Sequence, residues 1–65
     1  MSNYNLINLI RELDLINAII MSISNLSQRE YLLKLRLKVV LEIFDIDPDY
    51  NASKGEAILR AYGND

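Results

Sequence analysis

The sequence predicts an all-α protein: a small three-helix domain, with two long antiparallel helices and a short C-terminal one, assembling with a second copy as a dimeric bundle. Three observations predict it. Apolar residues recur at three- and four-residue spacings along most of the chain, Ser27-Gln28-Arg29-Glu30 carries a helix-start signature, and Pro48 stands where a long helix must stop. The helices are expected at about 4–23, 28–45 and 53–62, within one domain spanning residues 1–65.

The first helix has the clearest pattern. Leu6, Leu9, Leu13, Ile16, Ile20 and Ile23 follow at intervals of three, four, three, four and three, which is the a/d seam of a helix. Tyr4, Arg11 and Ala18 fall opposite, while Ile7, Ile10, Leu15, Ile19 and Met21 widen the stripe. This helix is therefore expected to be nearly surrounded, with the six seam residues serving as core, as oligomer interface, or both.

Ser-Asn-Leu-Ser at 24–27 is the first break. In the capping box that follows, Ser27 would accept from the Glu30 amide, the Glu30 side chain would reach back, and Leu26 would pack on Tyr31. The segment KLRLKV, residues 34–39, alternates polar and apolar, as a strand would. Its Leu, Lys and Arg favour helix, however, and nothing else in the chain could pair with it. As a helix it shows two apolar faces, one from Leu32, Leu35, Val39, Ile43 and Ile46, the other from Leu33, Leu37, Val40 and Phe44. Two faces need two neighbours. The first helix covers one, and the C-terminal segment or a second subunit must cover the other, so Leu33, Leu37, Val40 and Phe44 join the candidate interface. Glu30, Lys34, Lys38 and Glu42 lie four apart in one row and are expected to neutralise one another. That leaves Arg29 and Arg36, seven apart, as the basic candidates for a partner contact.

Pro48 biases Asp47 away from helical geometry and ends the second helix near Asp45. Ser53-Lys54-Gly55-Glu56 repeats the capping-box spacing, Ile58, Leu59 and Tyr62 give an apolar edge, and Gly63 is a natural stop. An earlier start with Asp47 as cap is also permitted. This last helix is expected to fold back over the open apolar face of the second.

The corner itself, DIDPDYNASKGE at 45–56, resembles the calcium-binding loop of EF-hand proteins. The resemblance implies side-chain ligands at Asp45, Asp47 and Asp49, a carbonyl from Asn51, Ser53 directly or through water, and a bidentate Glu56. Two residues oppose it. Tyr50 stands where that family places the glycine of its sharp turn, and Pro48 cannot adopt a positive φ. Acidic residues also suit turns and helix starts, so ordinary corner chemistry is the first reading and calcium the alternative.

Composition narrows the function. A 65-residue chain buries only about 60% of the surface exposed when unfolded, so it needs reinforcement. With no cysteine and no histidine, disulfides and zinc are excluded, and most nucleophilic and general-base arrangements go with them. No glycine-rich phosphate loop is present, and no cofactor is expected. Seven Lys and Arg against nine Asp and Glu leave no nucleic-acid footprint, so DNA-binding regulation ranks behind calcium as an alternative. A hydrophobic fraction of 51% is more than so small a monomer can hide, which favours a homodimer and a protein partner.

Charged residues break every apolar run before it could span a bilayer, and the start lacks a basic leader with a cleavage site. A cytoplasmic location is expected, with no membrane. Abundant Ile, Asn and Leu beside 2 Gly and 1 Pro suit an AT-rich coding sequence, as in a phage, a mobile element or an AT-rich bacterium. The expected function is a non-catalytic interaction module that self-associates and binds a protein partner as regulator, inhibitor or adaptor.

Overall fold

The computed structural model describes residues 4–62. Its elements are α1 (Tyr4–Ser22), α2 (Leu26–Ile46) and α3 (Ala52–Tyr62), with no strand among the described residues. The all-α, three-helix expectation matches this architecture. The side chains of Tyr4 and Tyr62, and the stop expected at Gly63, lie outside what is described.

The helix ends follow local chemistry. The Ser22 hydroxyl donates toward the carbonyls of Ala18 at 3.3 Å and Ile19 at 3.1 Å, and the Ile19 carbonyl also accepts from the Ile23 amide at 3.1 Å, closing the last turn of α1. After three intervening residues α2 begins at Leu26, and its cap is not Ser27. Asn25 is the cap: its Oδ1 accepts from the Gln28 amide at 3.0 Å and its carbonyl accepts from the Arg29 amide at 3.0 Å. Ser27 is displaced into the first turn, and the expected staple does not form, because Leu26 and Tyr31 stay 77% and 67% exposed. The same shift occurs at α3, where Asn51 rather than Ser53 accepts from the Lys54 amide at 2.9 Å. Asparagine is at least as good a cap as serine, and the earlier start adds helical bonds in each case.

Helices α1 and α2 run antiparallel. Asn17 sits opposite Arg36, Ile19 and Ile23 lie beside Leu32, and Leu9 and Glu12 lie beside Glu42 and Ile46. Their joint interior is Leu6, Ile10, Ile16, Ile20, Val39 and Ile43, with Ile43 fully excluded from solvent. Leu9, Leu13, Leu32, Leu35, Tyr50, Ile58 and Leu59 pack around it. No buried polar or charged residue is present among the described residues. Contrary to expectation, α1 is not nearly surrounded. Leu15 and Met21 are 61% and 86% exposed, because α2 and α3 together cover only part of its circumference.

The second departure concerns α3, which packs chiefly on α1: its backbone stays clear of α2, and Ile58 and Leu59 pack against the core that the two long helices share. The corner sets this direction. Asp47 ends α2 by donating its amide to the Ile43 carbonyl at 2.8 Å, and its own carbonyl accepts from Tyr50 N–H at 3.0 Å across a four-residue turn. With Pro48 second in the turn and no positive φ among the described residues, this is type I geometry. Its Oδ1 accepts from the Asp49 amide at 3.2 Å, and its Oδ2 pairs with Lys54 Nζ at 2.6 Å. Thus fixed, the chain leads Ile58 and Leu59 onto the α1 side of the core. The product is thin, with extents of 37 × 25 × 17 Å, so little more than one layer of helices lies behind α2. No described helix is long and apolar enough to cross a membrane.

Candidate interaction surface

Most seam residues of α1 are consumed inside the chain. Leu6, Ile16 and Ile20 are buried, and Leu9, Leu13 and Ile23 are half-buried. Leu6, Ile16 and Ile20 belong to the intramolecular core and Leu9 and Leu13 pack against it, while Ile23 lies at its edge beside Ile19, Tyr31 and Leu32. The face of α2 that was expected to need a second neighbour remains open, because α3 went elsewhere. Leu33, Leu37 and Phe44 are 38%, 59% and 40% exposed, and Val40 beside them is half-buried.

Two members of this stripe were missed by the sequence reading. Leu41, 59% exposed, follows Leu37 by one turn and extends the stripe. Leu26, assigned to a staple, continues it toward the N-terminus. On a helix of 3.6 residues per turn, Leu26, Leu33, Leu37, Val40, Leu41 and Phe44 share an arc of about 100°, opposite the buried Val39 and Ile43. The spacing of Leu41 was signal enough to find it. Both faces looked apolar, however, and a residue between them could belong to either.

Between the row Lys34, Lys38, Glu42 and the row Leu37, Leu41, Asp45 runs a shallow groove of about 530 Å³, built from α2 alone. Parallel rows of this kind are the ridges between which a neighbouring helix inserts its own. The expected neutralisation along the first row does not occur. Among the described residues the ion pairs are Lys54 with Asp47 and Arg60 with Glu56, and Arg29, Glu30, Lys34, Lys38, Glu42 and Asp45 form none.

Arg29 and Arg36 are not brought together. The guanidinium of Arg36 donates to Asn17 Oδ1 at 3.2 Å across the α1·α2 contact, whereas Arg29 is exposed in the first turn of α2. Arg36 is thereby a structural tie between helices.

The corner at 45–56 does not take the calcium-loop shape. Asp45 is still helical, Asp47 is engaged by Lys54, Glu56 faces Arg60 at 3.7 Å, and no three acidic side chains converge among the described residues. The hydrogen bond from Lys54 holds the Asp47 carboxyl below its usual range, outweighing an opposing desolvation, with the Asp49 amide and the Lys54 charge adding to it.

Tyr50 has a structural use that the sequence did not disclose. Its ring meets Phe44 edge-on, with centroids 6.3 Å apart, and lies over Gly55 so closely that a Cβ there would stand 2.9 Å from Cζ. Burial pushes its hydroxyl above the usual phenol range, and the charge of Asp14 adds to this. The arrangement locks the corner and offers no reactive group.

No protein-family model, curated protein or solved structure matches the chain.

Proposed function

We propose that the protein is a non-catalytic helical interaction module that self-associates and binds a protein partner, as regulator, inhibitor or adaptor, through the outer face of α2. One observation carries the reading: Leu33, Leu37, Leu41 and Phe44 form a continuous exposed apolar stripe on a helix whose opposite face already anchors the core. Apolar surface left outward at this density has a cost in water and a use in docking. The absence of histidine and cysteine from the sequence supports a binding role over catalysis.

Light scattering after size exclusion tests the reading. The wild type should run above the 7.5 kDa of one chain, and Leu37→Glu should run as a folded monomer with unchanged helical circular dichroism. A wild type that is monomeric near millimolar concentration, and binds no more apolar dye than Leu37→Glu, would remove the basis for the proposal.

A further inference from the structure

Resting on the reading of α2 as the working surface, we infer that the occupant of its outer face is a second copy of this chain, lying antiparallel across a two-fold axis near Leu37 and Leu41. The order of charges along α2 is the first reason. Arg29 and Lys34, with Glu30 between them, occupy its N-terminal half, Lys38 lies just past the middle, and Glu42 and Asp45 occupy its C-terminal end, all without an ion-pair partner among the described residues. This order is the reverse of what the helix macrodipole favours, since the first turn holds no acidic residue and the last no basic one. A local preference broken in this way needs compensation from elsewhere. An antiparallel copy supplies it, because each basic half then lies on an acidic half, and Lys34 of either chain meets Asp45 of the other. A parallel copy would set like charge on like.

The second reason is area. The chain exposes 5048 Å², whereas a compact monomer of 7.5 kDa exposes about 4,200 Å². The excess, about 800 Å², is distributed over the whole chain, and the exposed apolar stripe of α2 is part of it. The third is shape. The groove between the Lys34 and Leu37 rows accepts a ridge of the same spacing, and about a two-fold axis the Leu37–Leu41 ridge of one copy enters the groove of the other. The interface is isologous: two Leu37 and two Leu41 at the centre, Phe44 over Leu33 of the second copy, and a Lys34–Asp45 pair on each side.

The chain has no native cysteine, so thiol cross-linking reads the orientation directly. Lys34→Cys and Asp45→Cys variants are treated with a short bismaleimide, separately and mixed. In the antiparallel pair, residues 34 and 45 of different copies are neighbours, while the two copies of residue 34 stand about 16 Å apart along the axis; a parallel pair inverts these distances. Cross-linked dimer from the mixture, with little from either variant alone, is the expected result. Dimer from each variant alone, or from no combination, overturns the inference while leaving self-association standing. A wild type monomeric by light scattering overturns both. Charge reversal gives a second readout. Lys34→Glu should raise the dimer dissociation constant by up to about tenfold, and Lys34→Glu with Asp45→Lys should restore it. Failure of the double reversal to recover affinity, with both variants folded, also counts against the antiparallel register.

Discussion

Replacing Gly55 with alanine should destabilise the protein, although general helix energetics predict the opposite. Gly55 lies inside α3, where Gly→Ala ordinarily adds about 1 kcal/mol. Here a Cβ would stand 2.9 Å from Tyr50 Cζ and nearer still to its hydroxyl, so the ring must leave. Leaving forfeits the edge contact with Phe44, about 0.5–1.5 kcal/mol, and the buried half of the ring, about 2 kcal/mol. Set against the propensity gain, the net loss is about 2 kcal/mol, or a melting temperature lower by roughly 10 °C for a domain of this size.

The assay is urea and thermal unfolding followed by helical circular dichroism, carried out in the Leu37→Glu background so that association does not enter. In a Tyr50→Ala background the same Gly55→Ala change should stabilise by about 1 kcal/mol, because the obstructing ring is gone. The change of sign is the diagnostic. If Gly55→Ala stabilises both backgrounds equally, the ring does not occupy that space and the account of the corner is wrong.

Other consequences are open to measurement. Asn25→Ala and Asn51→Ala should each cost about 1 kcal/mol in urea unfolding, while Ser27→Ala and Ser53→Ala should cost under about 0.5 kcal/mol; the reverse ranking would return the caps to the serines. Ile43→Ala, at the fully buried position, should cost about 2–5 kcal/mol, whereas Leu37→Ala should leave monomer stability nearly unchanged and weaken only association. Because the folded pKa of Asp47 lies below its unfolded value, its contribution is fully present above pH about 4 and is lost as the pH falls through the folded pKa. Asp47→Asn should therefore flatten the acid limb of a stability–pH curve, and an unaltered limb would show that Lys54 contributes nothing there.

Much of this fold was legible because its signals are local. The three- and four-residue spacing of Leu6 through Ile23 gave α1, and Pro48 placed the end of α2 within a residue. The caps were each misplaced by two residues for a specific reason. Asn25-Leu26-Ser27 and Asn51-Ala52-Ser53 each offer two good capping residues, and only the observed amide partners, Gln28 and Lys54, decide between them. Where α3 lands was not legible. That depends on the direction in which a type I turn releases the chain, fixed by the Asp47–Lys54 pair seven residues apart, and on Tyr50 fitting against a glycine five residues later. Such fits are invisible to periodicity. The open face of α2 was half legible: its apolar letters were evident, but whether they were covered depended on where α3 would land.

The four bonds made by Asp47 have a dynamic consequence. One residue ends α2, closes the turn with its carbonyl, receives the Asp49 amide and holds Lys54, while α3 beyond it rests mainly on α1. Little cross-bracing ties the last eleven-residue helix to the rest, so it forms a cooperative unit of its own. Its amides should exchange with deuterium together and ahead of those in the α1·α2 pair, through a partial opening that leaves the helical hairpin intact. Asp47→Asn should quicken the exchange of that set alone, setting the terminal helix loose while the rest of the chain keeps its shape.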